Sequence, residues 1–290
     1  MLELKRRNFK DCLLYLKDCI NKRLPLSLIR LGDGESQILD YPETLNGNDL
    51  EAQLNLWFGA ETPNSSELRE LRKQLIHSCQ RASVLAIPTI RQLTIHPRWK
   101  QTYDAIQKQR LAKRNDYIVD TAIHRYLQLS GSILNLLFRQ EFLGLITSRN
   151  VTDQIIKAFQ PTSLAIYRIK GEASFPGEFK NANYPEHFKF LLNGIKPPYR
   201  GAPYLVGAGL LGKIICNHIY SKGGIAIDIG SIFDGWANIN SRPYFGKYPS
   251  KYYSIEHLVE TASLEPKERL DLLRELLDQY EPSIKCQNLA

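Results

Sequence analysis

The chain has 290 residues, of which 43% are hydrophobic and 23% are charged, a composition that is typical of globular proteins and excludes a disordered chain. No apolar run approaches the roughly 18 residues that a membrane-spanning helix needs, and the first residues lack the apolar core of a secretory signal. We therefore expect a cytoplasmic protein without a transmembrane segment. The five cysteines are odd in number and widely spaced, which favours reduced packing residues over a zinc site or a disulfide framework.

The formal net charge is +8 and the pI is about 9.1, so the protein attracts anionic partners. The basic residues are spread along the chain and mixed with acids, which indicates a solvated basic surface, and we expect no nucleic-acid partner. A nucleotide diphosphate would be attracted by this charge. An anionic acceptor in a membrane, with which the protein would associate peripherally, would be attracted equally.

Helical periodicity and short apolar runs alternate along the chain. The runs predict strands that are buried on both faces, and the periodic segments predict helices. Because parallel neighbours need a crossover, the alternation predicts an α/β, Rossmann-like fold with a mostly parallel sheet and helices on both faces. In chain order we predict helix 9–20, strand 26–31, a helix that begins near Ser65, strand 83–88, helices 99–111 and 117–129, strand 142–147, helix 151–159, strand 163–169, helix 185–192, strand 204–206, helix 210–220, strand 224–229 and helix 264–280.

No repeat or low-complexity linker divides the chain, so we expect a single domain over residues 1–290. A smaller helical insertion around residues 95–140 is an alternative. After Phe233 the periodicity gives way to an aromatic loop, followed by a helix, over about 235–290. These aromatic residues could stack on a sugar or a base, or they could cover the sheet edge. They are Trp236, Tyr244, Phe245, Tyr248, Tyr252 and Tyr253.

The first predicted strand leads into the turn Gly32-Asp33-Gly34-Glu35, in which two carboxylates alternate with two glycines. Carboxylates at i and i+2 point to the same side of an extended chain, so one divalent cation could be bound by both. The glycines permit a ligand to approach the backbone closely. Arg30, just before the turn, could pair with the carboxylates or hold a phosphate oxygen. An ordinary surface turn is the alternative.

A second motif, Gly-x-Gly-x-x-Gly at Gly207, Gly209 and Gly212, follows a predicted strand and opens a helix. Asp228 lies 21 residues beyond Gly207, and this is the spacing of a dinucleotide-binding fingerprint. Taken alone, the motif indicates an oxidoreductase. However, it follows the fifth predicted strand rather than the first, Asp228 is followed by Ile-Gly-Ser rather than ending its strand, and no hydride-transfer residues are apparent. A tight strand-to-helix turn and another kind of anion site therefore stay open.

Three segments together carry a family resemblance: Ser-Leu-Ile-Arg-Leu-Gly-Asp-Gly-Glu at 27–35, Gly-Ala-Gly-Leu-Leu-Gly-Lys at 207–213, and Ile-Asp-Ile-Gly-Ser-Ile-Phe-Asp at 227–234. In this order they resemble the GT-D fold glycosyltransferases. That family was formerly known only as a domain of unknown function, and its founding members glucosylate bacterial serine-rich adhesins. The resemblance implies a transferase that moves a sugar from a nucleotide sugar, such as UDP-glucose, to a glycan or glycoprotein acceptor.

The resemblance also implies site residues. Asp33 and Glu35 would form an Asp-x-Glu motif that binds Mn²⁺ or Mg²⁺ together with the donor diphosphate, so that charge on the departing nucleoside diphosphate is neutralised. Asp234 is our candidate for a general base, which an inverting reaction needs. A nicotinamide (NAD(P)-dependent) oxidoreductase and a non-catalytic nucleotide- or glycan-binding module are the alternatives. The residues predicted to bind substrate are Arg30, Gly32, Gly34, Gly207, Gly209, Lys213, Asp228 and Ser231.

Histidine provides no clear signal. The six histidines are scattered, and none has a convincing metal-ligand spacing with a cysteine or a carboxylate. Asp120 and His124 are four residues apart in the predicted helix 117–129, which suits acid/base chemistry but more often marks a polar helix face. We assign neither residue to the site from the sequence.

Overall fold

The structure, a computed structural model, describes residues 6–43, 47–59, 61–95, 97–114, 117–172, 184–242, 245 and 250–280. Within these ranges seven strands form one sheet. They are β1 (Leu26–Arg30), β2 (Val84–Ile87), β3 (Ile118–Asp120), β4 (Phe142–Thr147), β5 (Ser163–Arg168), β6 (Pro203–Gly207) and β7 (Ile225–Asp228). Their order across the sheet is β3-β2-β1-β7-β6-β4-β5, and each neighbouring pair is parallel.

Helices connect the strands and cover the sheet. They are α1 (Phe9–Asn21), α2 (Ser36–Leu39), α3 (Gly47–Phe58), α4 (Ser65–Arg81), α5 (Ile90–Ile95), α6 (Pro97–Lys108), α7 (Ile123–Leu129), α8 (Ser132–Leu137), α9 (Thr152–Phe159), α10 (Glu186–Gly194), α11 (Gly209–Ser221), α12 (Ile232–Trp236), α13 (Ile255–Ala262) and α14 (Pro266–Tyr280), with 3₁₀ turns at Leu111–Arg114 and Ser250–Tyr253. No helix in the described ranges combines the length and the apolar character that crossing a membrane requires.

Local sequence determines where several helices begin. The side chain of Asn8 accepts a hydrogen bond from the backbone N–H of Asp11 at 2.7 Å, which caps α1. At the start of α4, Asn64 and Glu67 form a capping box, in which each side chain accepts from the backbone of the other residue. These contacts satisfy backbone donors that have no partner inside the helix.

The core has two layers, one on each face of the sheet. Successive residues of a strand point to opposite faces, so Leu28 packs with α1, α7 and α13 in one layer, whereas Ile29 packs with α4 and α11 in the other. Both side chains are fully buried. A sheet with helices on both faces explains why its strands are nearly continuous apolar runs, and it confirms the predicted α/β class.

Two sequence predictions need correction. Residues 117–129 are not one helix, because Ile118–Asp120 form the edge strand β3 and α7 begins only at Ile123. Part of the region 95–140, for which a helical insertion was the alternative, thus belongs to the sheet. With β3 counted, the glycine motif follows the sixth strand rather than the fifth. Asp228 ends its strand, β7, although the residues after it had suggested that the strand continues.

Candidate functional site

A cavity of about 600 Å³ lies at the carboxyl edge of the sheet. Residues at or after the end of every strand line it, as expected for ligand sites in open parallel sheets. From the strand ends and the loops that follow them come Gly32 to Glu35 after β1, Gln92 after β2, Thr121 after β3, Thr147 to Arg149 at the end of β4, Lys170 to Glu172 after β5, Gly207 to Gly209 after β6, and Gly230, Ser231 and Asp234 after β7.

The Asp-Gly-Glu turn presents its two carboxylates differently. Asp33 is exposed at the cavity and forms no hydrogen bond or ion pair with the residues that the structure describes. Glu35 is only 6% exposed, and its Oε2 accepts from the N–H of Gly32 at 2.7 Å. The backbone is helical rather than extended at Glu35, so the argument from an extended chain does not hold here. Both residues nevertheless line the cavity.

A buried charge cluster of Arg30, Glu35, Lys213 and Asp228 joins the three sequence motifs. The Lys213 Nζ lies 3.2 Å from Glu35 Oε1 and 3.0 Å from Asp228 Oδ2, and Arg30 Nε lies 3.9 Å from Asp228 Oδ1. Two cations and two anions leave the cluster neutral. Burial lowers the pKa of Lys213, but Asp228 and Glu35 outweigh it, so that this pKa is raised above the ordinary lysine value.

Asp228 is the member of this cluster that does not line the cavity. It is 2% exposed, and its Oδ2 contacts Lys213 and accepts from the backbone N–H of Arg30 at 3.4 Å. In this arrangement Asp228 supports Lys213 and Arg30. The acid that a dinucleotide site would turn toward ribose hydroxyls is thus engaged inside the protein.

The glycine motif places the amino end of α11 at the cavity. Gly207 ends β6, and a Cβ at this position would lie 2.5 Å from Phe233 and 2.7 Å from the carbonyl oxygen of Gly230, so close packing requires a glycine. Gly209 begins α11 with φ at +50°, and no side chain caps the helix. Its first amide groups have no partner within the helix, and this favours an anion at the same edge.

Among the described residues that line the cavity, cationic side chains outnumber carboxylates. The described lining includes Asp33, Glu35, Glu172 and Asp234 as acids, and Arg30, Arg98, Arg125, Arg149, Lys170, Lys213 and Arg242 as cations. The sequence predictions included only Arg30 and Lys213 of these cations. Arg125, Arg149 and Lys170 each stand within five residues of the end of β3, β4 or β5, and this position is the signal by which they could have been found.

Asp234 lies at the cavity but is engaged by two donors. The Arg149 Nε donates to its Oδ1 at 2.5 Å, and the Ser241 hydroxyl donates to its Oδ2 at 2.5 Å. The side chains of Arg149 and Asp234 are 4% and 14% exposed. This pair ties the segment after β7 to the end of β4, and the role of general base stays a prediction. Ser231 lines the same part of the cavity.

Asp120 and His124 do not share a helix face. Asp120 ends β3 and accepts from the Tyr126 hydroxyl at 2.7 Å, whereas His124 lies in α7 and lines the cavity. Burial, followed by the positive charges of Arg30 and Arg125, holds the pKa of His124 well below its ordinary value. His124 is therefore a neutral group of the cavity that the sequence prediction left out.

The aromatic residues in the described part of the cavity lining are not among those predicted from the C-terminal loop. Trp236, Phe245 and Tyr253 are buried in the core, Tyr252 is partly buried against that core, and Tyr244 and Tyr248 lie outside the described residues. The cavity is lined instead by Trp57, Phe58, Trp99 and Phe233. Helix α3, which carries Trp57, was not predicted, although Leu50, Leu54, Trp57 and Phe58 have helical spacing.

Comparison with known proteins agrees with this architecture. The family model described as GT-D fold-like domain matches residues 8–177, which is more than half of the chain. A structure titled a new glycosyltransferase (domain of unknown function 1792) from Streptococcus sanguinis has a TM-score of 0.54 at 14% identity, over 81% of this chain and 84% of that chain. A selenomethionine-substituted structure of domain of unknown function 1792 has a TM-score of 0.51 at 16% identity, over 78% and 80% of the two chains. No curated protein matches the sequence. The chain belongs to the GT-D fold-like family of glycosyltransferases.

Proposed function

We propose that this glycosyltransferase uses a nucleotide sugar, such as UDP-glucose, and transfers the sugar to a hydroxyl group of a glycan or glycoprotein acceptor. The observation that supports this most directly is the surplus of cationic side chains among the described residues of a cavity that also contains the uncapped amino end of α11. A nucleoside diphosphate carries negative charge and is both part of the substrate and the leaving group. A cytoplasmic location, where such donors are made, stays a prediction.

The diphosphate would bind between the ends of β1 and β6. The amide groups around Gly209 are oriented donors, and the helix dipole adds about half a positive charge at this end. Arg30, at the end of β1, is 12% exposed and would contribute a guanidinium group. Donors that are already in place stabilise the charge of the departing diphosphate without reorganisation, and that charge develops as the sugar–phosphate bond breaks.

A divalent cation fits this edge in part. Mn²⁺ or Mg²⁺ prefers oxygen ligands, and such ions commonly take one or two carboxylates and complete their coordination with substrate phosphates and water. Asp33, exposed at the cavity, and Glu35, whose Oε1 faces Lys213, are the residues that would hold it. The described residues contain no group of three or more potential metal-ligating side chains, so the protein alone would bind the cation weakly. When bound, it would neutralise charge on the diphosphate.

Calorimetric titration with UDP, with and without Mn²⁺, tests this proposal. We expect the wild-type protein to bind UDP more tightly in the presence of Mn²⁺. Asp33→Ala should lower that affinity at least tenfold, or about 1.4 kcal/mol, while it leaves the melting temperature unchanged, because Asp33 contributes no described contact. Asp18→Ala, which changes an exposed aspartate on α1, is the matched control and should bind as the wild type does.

The alternatives give different results in the same titrations. If the protein bound NADH with an affinity that Asp33→Ala left unchanged, and did not bind UDP, the result would contradict the transferase assignment and support a dinucleotide site. Slow release of free sugar from one UDP-sugar in preference to others would identify the donor, and it would distinguish an enzyme from a module that only binds nucleotides.

A further inference from the structure

Helices α3 and α6 give the cavity an aromatic wall that, among the residues the structure describes, carries no carboxylate. This aromatic wall consists of Gln53, Leu56 and Trp57 from α3 and of Arg98 and Trp99 from α6, all of which line the cavity. The four carboxylates of the described lining come from the segments after β1, β5 and β7. The described residues of this wall therefore offer aromatic faces and a few hydrogen-bond donors, but no carboxylate.

Trp57 is the part of this wall that adjoins the expected diphosphate position. A Cβ built on Gly34 would lie 2.8 Å from Trp57 Cζ2, and one built on Gly209 would lie 3.8 Å from its Cδ1 and 4.0 Å from its Nε1. The indole thus spans the distance between the Asp-Gly-Glu turn and the amino end of α11. It is partly exposed, and its N–H donates to none of the residues that the structure describes.

We propose that Trp57 stacks on the nucleobase of the donor nucleotide, an inference that rests on the proposed function. A nucleobase has a flat face that stacks on indole whatever the base. Its carbonyl groups need only a few donors, which the Gln53 amide and the Arg98 guanidinium supply; Arg98 Nη1 lies 3.5 Å from Gln53 Oε1. A pyranose also packs on aromatic rings, but its hydroxyl groups need acceptors as well as donors, and α3 and α6 contribute no carboxylate to the described lining.

The connectivity of the donor agrees with a base on this wall. The base and the sugar are attached to opposite ends of the diphosphate, so they extend from it in different directions. A base on the aromatic wall would leave the sugar to extend toward other described carboxylates of the lining, Glu172 and Asp234. The same arrangement brings the reacting carbon close to the charged groups, where an acceptor hydroxyl can also be bound.

The test compares two ligands in three proteins, all in the presence of Mn²⁺: UDP and inorganic pyrophosphate, with wild type, Trp57→Phe and Trp57→Leu. Stacking predicts that Trp57→Leu weakens UDP binding at least tenfold, that Trp57→Phe weakens it less than about threefold, and that neither change alters pyrophosphate binding. Phe190→Leu, at an aromatic position that is 75% exposed and outside the cavity lining, is the matched control for loss of a ring.

Tryptophan emission gives a second readout. Trp236 is 2% exposed in the core, so ligand-dependent changes should come from Trp57 and Trp99, and the quenching by UDP should fall sharply in Trp57→Phe. Equal UDP affinity in wild type and Trp57→Leu would overturn the stacking inference but not the proposed function. The same would follow if Trp57→Leu weakened the binding of UDP and of pyrophosphate equally. If the folded wild-type protein bound none of UDP, GDP and ADP, the proposed function would fail together with the inference.

Discussion

Replacing Lys213 by methionine should strongly destabilise the protein. Methionine nearly fills the volume of lysine, so the main change is electrostatic: the neutral cluster of Arg30, Glu35, Lys213 and Asp228 acquires a net charge of −1. Glu35 and Asp228 are 8% and 2% exposed at their side chains, so water can replace the lost contacts only in part. Breaking a buried pair from one side costs about 3–5 kcal/mol. Because Arg30 still contacts Asp228, we expect about 3 kcal/mol.

Urea unfolding followed by circular dichroism measures this loss, as a lower midpoint at an unchanged slope. Lys22→Met is the matched control, because it removes the same charge from an exposed ion pair with Asp18, in which the side chains are 64% and 50% exposed. Exposed pairs contribute about 0.2–1 kcal/mol, so the control should stay within 1 kcal/mol of the wild type.

A second substitution separates the charge effect from a packing effect. Adding Glu35→Gln to Lys213→Met returns the cluster to neutrality, so the double variant should be more stable than the sum of the two single losses implies. A loss of less than about 1 kcal/mol in Lys213→Met, or strictly additive losses, would refute the reasoning that Lys213 compensates two buried carboxylates.

Two further predictions concern residues around the cavity. Gly34→Ala should lower the free energy of unfolding by about 1–3 kcal/mol and weaken UDP binding, because the added Cβ would lie 2.8 Å from Trp57. Gly194→Ala is the control: its added Cβ would have nothing within 4 Å, so it should be neutral in the same unfolding and binding assays. Burial lowers the pKa of His124 in the folded state, so on acidification this histidine is protonated in the unfolded chain before it is protonated in the folded protein. The free energy of unfolding should therefore fall as the pH drops below about 6.5. Urea unfolding between pH 7 and 5 should show a shallower fall in His124→Asn, and an unchanged slope would contradict the neutral, buried state of this histidine.

The strands could largely be predicted from sequence because the sheet is covered on both faces. Burial on both faces demands continuous apolar runs, and six of the seven strands were recognised from them. β3 was missed because it has only three residues and is followed after two residues by α7, so that its apolar residues merge with the helical periodicity. Helix α3 was missed because the sequence at its start, Asn46-Gly47-Asn48-Asp49, is typical of a turn.

The site could be predicted only where several functional residues stand close together in sequence. Asp33 and Glu35 share a turn, and Gly207, Gly209 and Lys213 share a strand-to-helix junction. Arg149, His124 and Trp57 come from three different connections, and no sequence motif joins them. The sequence also could not show that Glu35 turns inward, because that depends on Lys213, which is 178 positions away in the chain.

Strand order explains why these distant motifs depend on one another. β7 lies between β1 and β6, with Leu28 opposite Ile227 and Val206 opposite Asp228, so Asp228 stands beside the ends of both motif-bearing strands. Lys213, one helical turn into α11, then reaches Asp228 and Glu35 together. The amide groups of α11 and the Asp-Gly-Glu turn are thereby held in one fixed relation by a neutral buried cluster. A donor diphosphate that contacts both elements would therefore find them already positioned, and loss of Lys213 should weaken its binding as well as the fold.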